Sequence, residues 1–275
     1  MQFSKRIKLI VLTILVFTVL SLFLGACSST KLKPVLTPEA RLKHAIELFN
    51  KGHYLDAKTD FTIIVLNYPG SSVVDTAQFY LAESHFKLKE YILGASEYEK
   101  LLRNYPESQY ADDARYKIGL CYFELSPNYG LDQKYTLKAI DEFRQFLEEY
   151  PNSSLKETVQ KKLTECLNKL AKKDYKDAEL YRKMNEWRAA EIYYNTVLNK
   201  FADTPFGEKA LYWKGEAQYH QEKWDEAKST FSEYIQKYPK GKYVKKADKR
   251  LKKIENILKA QSHNQTARKS QPKSN

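Results

Sequence analysis

Hydrophobic and polar positions along this chain follow a helical register inside each segment, and the register repeats between segments. An aromatic residue followed by proline closes four helix-like runs, at Tyr68-Pro69, Tyr105-Pro106, Tyr150-Pro151 and Tyr238-Pro239; Phe201-Ala202 stands in the same place without the proline. Successive slots, counted at the proline position, are 37, 45, 51 and 37 residues apart, the span of helical-repeat units. Eight residues before each slot stand Phe61, Tyr98, Phe143, Tyr194 and Phe231, and twelve before stand Ala57, Gly94, Ala139, Ala190 and Ala227. Fifteen before stand Tyr54, Tyr91, Thr136, Trp187 and Trp224. Offsets of three and four place these side chains on one face of a helix. Proline then ends the helix, because it lacks an N–H and pushes the preceding residue out of the α region.

A second register follows each slot. Thirteen residues on come Ala82, Gly119, Thr164 and Gly215, and fifteen on come Ser84, Cys121, Cys166 and Ala217. Small residues at both positions predict closely paired helices. A turn-rich stretch, Ser126-Pro127-Asn128-Tyr129-Gly130, interrupts the third repeat before its helix pair is complete. With 21 tyrosines against nine glycines and little strand-like alternation, the expected class is all-α. The pattern resembles the tetratricopeptide family, which implies a helical-repeat solenoid of about five repeats closed by a C-terminal capping helix.

The ends of the chain read differently. Lys5, Arg6 and Lys8 precede an apolar run over residues 9–24, followed by Leu24-Gly25-Ala26-Cys27. That run is shorter than the roughly 20 residues that cross a bilayer. A basic start, a short apolar centre and small residues at its end predict an export signal over residues 1–26. The four residues ending in Cys27 resemble a bacterial lipobox, which implies cleavage before Cys27 and lipidation of its thiol and new amino group. An uncleaved anchor with an accidental cysteine is the alternative. Ser28 stands where inner-membrane retention signals carry aspartate, so the same resemblance implies the outer membrane, facing the periplasm. Residues 27–38 read as a polar tether, residues 39–259 as the repeat array with its cap, and residues 260–275 as a disordered basic tail.

Charge sharpens this division. Of the formal net charge of +12, the export signal accounts for three and the segment from Lys240 onward for ten, which leaves the array at −1. Residues 244–258 keep the repeat register through Ala247 and Leu251 among many lysines, as a terminal repeat with a wettable outer face requires. Those lysines either keep the cap soluble or meet an acidic partner or anionic lipid head groups. Export directs the chain away from nucleic acid.

Chemistry is sparse. There is no Gly-rich phosphate loop, no histidine pair at metal spacing and no nucleophile motif, so no enzyme and no cofactor are expected beyond the covalent lipid on Cys27. Cys121 and Cys166 share one register position. Equivalent positions on stacked helices lie about 8–10 Å apart, whereas a disulfide needs Cα atoms within about 7 Å. Buried free thiols are expected.

The lipobox cysteine, the short tether and the ordered repeats together resemble the BamD-type lipoproteins of the β-barrel assembly machinery. The most specific stretches are Tyr150-Pro151-Asn152-Ser153-Ser154, Leu170-Ala171-Lys172, Ala178-Glu179-Leu180-Tyr181 and Trp187-Arg188-Ala189-Ala190. The resemblance implies a periplasmic scaffold anchored to outer-membrane lipid, which docks the periplasmic domains of the β-barrel insertase and receives unfolded outer-membrane protein precursors. In tetratricopeptide arrays the first helix of each repeat lines the concave surface. Carried over, this implies a substrate groove at Phe79, Glu83, Phe86, Tyr116 and Phe123, flanked by Lys87, Asp113 and Glu124. It implies partner docking at Tyr212, Glu216 and Tyr219, beside Lys209. Phe201-Ala202 and the lysine-rich end depart from the family pattern. A periplasmic repeat adaptor for cell division, or for polysaccharide or peptidoglycan processes, is the other open reading.

Overall fold

Each aromatic–proline pair stops a helix by holding its first member outside the α region. Tyr68, Tyr105, Tyr150 and Tyr238 have φ between −137° and −125° and ψ between 52° and 64°, as the residue before proline must. At the slot without proline, Ala202 keeps helical angles of −54° and −35°. The chain then turns back so tightly that a Cβ on Gly207 would lie 2.0 Å from the Ala202 carbonyl oxygen.

The computed structural model describes residues 36–269; the export signal, Cys27 and nearly all of the tether lie outside the described residues. Eleven helices and no strand occupy the described residues. They pair as α1 (Pro38–Asn50) with α2 (Tyr54–Asn67), α3 (Val74–Lys87) with α4 (Tyr91–Asn104), and α5 (Ala111–Leu125) with α6 (Lys134–Glu149). Then come α7 (Lys156–Lys183) with α8 (Trp187–Phe201), α9 (Gly207–His220) with α10 (Trp224–Lys237), and a last helix α11 (Val244–Lys269). Every extensive helix–helix contact joins neighbours in sequence, so this is a helical-repeat solenoid built by stacking. Where a disordered tail was expected from residue 260, α11 continues to Lys269. Its start is already seated on the array by Ala247 and Ile254, and extending a formed helix through Ala, Gln and Lys costs little.

The turn inside four of the five pairs is built alike. Gly52, Lys89, Asn185 and Glu222 have φ of 83°, 61°, 61° and 60°. The next amide N–H reaches back into the helix, from His53 to the Leu48 carbonyl at 2.9 Å and from Lys223 to that of Gln218 at 3.0 Å. This left-handed cap satisfies the last carbonyls of the first helix. The third pair instead carries the insert, pinned by Gln133 Nε2 donating to the carbonyls of Asn128 at 2.8 Å and Leu131 at 2.9 Å.

The aromatics eight residues before each slot are all fully buried, and each second helix drives its ring over a small residue of the first. A Cβ on Gly119 would lie 2.6 Å from the Phe143 ring, and one on Gly215 would lie 2.8 Å from the Phe231 ring. Thr164 breaks this pattern and is exposed. On α7 it is Val159, Leu163 and Cys166 that pack against α6, leaving the Thr164 hydroxyl to bond the Gln160 carbonyl at 2.8 Å.

Polar ties join consecutive repeats. Asp75 accepts from the Ser108 hydroxyl at 2.7 Å, and Asp112 from that of Ser153 at 2.7 Å. Glu208, at the same place in α9, accepts from the Lys242 amide at 3.0 Å and the Tyr234 hydroxyl at 2.8 Å.

Alanine at Gly119 gains about 1 kcal/mol of helix propensity but meets the immobile Phe143 ring, and overpacking costs about 1–3 kcal/mol. Gly119→Ala therefore lowers the free energy of unfolding in urea. Gly94→Ala, whose nearest new contact is 3.5 Å, raises it by up to about 1 kcal/mol.

Candidate functional site

The residues expected to line a groove sit on the first helices α3, α5 and α9, and they divide by burial. Phe79 and Tyr212 occupy one register position, and both are buried. Phe79 stacks on Tyr110 with ring centroids 4.4 Å apart, and Tyr212 stacks on Tyr243 at 4.4 Å. Tyr110 and Tyr243 belong to the loop entering the next repeat, which covers the side of the helix that would otherwise face a ligand. Phe79 and Tyr212 are therefore seam residues, and their expected exposure in a groove is corrected.

Glu83 and Glu216 are likewise equivalent, and only 7% and 4% exposed, so neither carries a free charge. Lys117 Nζ lies 2.5 Å from Glu83, and the Tyr98 hydroxyl donates to the same carboxylate oxygen. Arg250 grips both oxygens of Glu216, through Nε at 2.9 Å and Nη2 at 2.7 Å, while the Tyr212 hydroxyl donates to Oε1 at 2.7 Å. A buried carboxylate persists only with such partners. The same register supplies both basic residues, eleven positions after the following proline, a signal the sequence contained.

Phe86, Tyr116, Phe123 and Tyr219 remain half-buried and form the accessible part of this row. Three of them are covered by a cation from the next first helix: Lys117 lies 5.0 Å from the Phe86 ring centre, Lys162 4.2 Å from Phe123, and Arg250 4.1 Å from Tyr219. Such contacts contribute about 0.5–1 kcal/mol each when exposed. The ladder changes at the fourth joint, where Asn168 and Trp213 hold the two positions and Arg182, from the long end of α7, covers Trp213 at 4.1 Å. Lys87, Glu124 and Lys209 are exposed. Asp113 is half-buried, its carboxyl pushed up by burial and then by the Asp112 charge.

Glu191 on α8, which sequence reasoning missed, ties the fourth repeat to the fifth. It accepts from Gln218 at 3.0 Å, Gln221 at 2.9 Å and Lys223 at 2.8 Å. Burial pushes its carboxyl up, but these donors more than offset that and hold it below the ordinary glutamate value.

Two clefts open on the array. One, of about 370 Å³, lies between α9 and α11. The other, of about 590 Å³, lies between the third-repeat insert, α7 and Phe206. Cys121 and Cys166 are buried, unpaired and in separate clusters; burial pushes their thiols up to about 12 and about 11, which makes them poor nucleophiles. No group of metal-ligating side chains occurs among the described residues.

Arg250→Met strands the Glu216 carboxylate and costs about 2–3 kcal/mol in thermal or urea unfolding. Adding Glu216→Gln recovers part of that loss, a coupling that a double-mutant cycle reads directly. Glu191 contributes stability that is fully present above the ordinary value of 4.5 and is lost as pH falls through its lower folded value. The stability difference between the parent and Glu191→Gln therefore shrinks below that pH, which parallel urea titrations measure.

Comparison with known proteins follows the same lines. The family profile described as outer membrane lipoprotein, YfiO, matches residues 37–222, and a tetratricopeptide repeat profile matches residues 209–241. The chain is 26% identical over 240 residues to the outer membrane protein assembly factor BamD of Rickettsia prowazekii (strain Madrid E), covering 86% of this chain and 96% of that protein. It is 24% identical over 202 residues to BamD of Vibrio cholerae serotype O1, covering 70% and 84%. Among solved structures, the TPR2AB domain of yeast Sti1 is similar with 12% identity over 79% of this chain and 98% of that one, at a TM-score of 0.37. The match over residues 37–222 runs from the first helix to the turn between α9 and α10, and the chain belongs to the YfiO family of outer membrane lipoproteins.

Proposed function

We propose that this chain is a non-enzymatic scaffold of outer-membrane protein assembly, anchored through lipid on Cys27 and facing the periplasm. The observation that carries the reading is the similarity to an assembly factor over 86% of this chain and 96% of that factor's length. In this reading the last repeats dock the periplasmic domains of the β-barrel insertase, and the first repeats receive unfolded precursors.

The residue assignments follow accessibility. Phe86, Tyr116 and Phe123 offer ring edges to a precursor segment, and Tyr219 offers one to the insertase. Tyr212 and Glu216 act behind Tyr219 by fixing Arg250, which lies against its ring. Rings framed by cations suit an extended segment that presents apolar side chains and acidic or carbonyl oxygens. The work is recruitment and alignment, with no bond made or broken.

Purification of the lipidated protein in gentle detergent tests this. A β-barrel membrane protein with periplasmic repeat domains should co-purify in stoichiometric amount. Recovery of division or polysaccharide-export proteins alone rejects the reading. Phe86→Ala with Phe123→Ala should weaken photo-crosslinking to an unfolded barrel precursor about tenfold, and Tyr219→Ala should reduce insertase recovery while precursor contact persists.

A further inference from the structure

The cleft between α9 and α11 carries lysines that the proposed insertase contact at Tyr219 does not use. Lys246, Lys249 and Lys253 line it, and their spacing of three and four places them on one face of α11. The ion pairs at this end of the array are Lys228 with Glu255, Arg250 with Glu216, and Lys252 with Asp248; none engages these three lysines. Glu216, the carboxylate in the wall, is already committed to Arg250 and Tyr212. Three ammonium groups thus face one cleft without a counter-ion. The indole of Trp213 forms part of the same wall.

We propose that this cleft binds the phosphate headgroup of an anionic phospholipid. Its volume of about 370 Å³ suits a glycerophosphate group. Lysine ammonium groups bind phosphate oxygens as point charges. Lys242 and Lys245 are exposed on the same segment and extend the positive field, which reaches about 8 Å at physiological salt. A free phosphate ion offers these lysines the same oxygens, and the separate probes below distinguish the two sources. The cleft shares Tyr212, Glu216 and Arg250 with the proposed insertase-docking end, and lipid retention by the purified chain is read with no protein partner present.

Native mass spectrometry of the full-length lipidated chain in nonionic detergent tests the proposal, with phosphatidylglycerol, phosphatidylcholine, inorganic phosphate and a hexaglutamate peptide as separate probes. One phosphatidylglycerol per chain should be retained, about tenfold more than phosphatidylcholine at equal concentration. The triple variant Lys246→Gln, Lys249→Gln, Lys253→Gln should lose at least about tenfold of that retention. Lys240→Gln, Lys242→Gln, Lys245→Gln removes the same charge outside the cleft and should lose less than about twofold. None of these lysines holds an ion pair, and each triple gives up one long cation–ring contact, Lys246 or Lys242 at 5.9 Å from Tyr243, so the two triples should melt together and close to the parent; Lys249→Glu alone gives the same reading should the cleft triple melt early. Equal loss in the two triples means diffuse attraction and overturns the cleft. Equal retention of phosphatidylcholine, or binding of inorganic phosphate or hexaglutamate without phosphatidylglycerol, overturns the lipid.

Discussion

The joint between consecutive repeats is the constraint on which the rest of this structure depends. A stacked array has no shared centre, so each first helix must be covered on one side by its own partner and on the other by the repeat before it. Only small residues let two helices approach from both sides. This is why Ala82 and Ser84, Gly119 and Cys121, and Gly215 and Ala217 are buried on the first helices, and why the large rings are delegated to the second helices. The glycines at 119 and 215 exist because a ring from the partner helix already occupies the place of a Cβ.

Polar chemistry at the joints adds register to this packing. Buried Glu83, Glu191 and Glu216 each gain a basic partner, Lys117, Lys223 or Arg250, only when the next repeat is seated correctly, and a misplaced repeat would leave a carboxylate without its counter-charge in apolar surroundings. Such groups add modest net stability but penalise every alternative stacking. The fourth joint departs from the others in a coordinated way. Phe201-Ala202 lacks the proline, Gly207 permits the close return of the chain, and the 28 residues of α7 bring Arg182 over Trp213 in place of the usual ring and cation.

The same economy shapes what the surface offers a partner. Most aromatic area on the first helices is spent on the seams, and what remains for recognition is ring edges with cations held against them. Buried carboxylates and half-buried rings therefore share cations: Lys117 serves both Glu83 and Phe86, and Arg250 serves both Glu216 and Tyr219. Removing either cation would loosen a joint by leaving a buried carboxylate without its counter-charge.

How much of this could be read from residues alone follows from the range of each interaction. Helix ends at Tyr-Pro, the alternation of first and second helices and the five buried aromatics depend on contacts within one repeat, and the small-residue register also marks Cys121 and Cys166, which are buried against the preceding second helix; all are legible in the register. The left-handed turn residues are hidden where Lys89 and Glu222 take the place of glycine, because backbone closure overrides side-chain preference there. Burial of Phe79 and Tyr212 and exposure of Thr164 lay beyond such reading. Periodicity identifies which residues share a face of a helix. Whether that face is covered depends on where the next repeat's loop and helix come to rest, and residues some 34 positions away decide that only once the chain has folded.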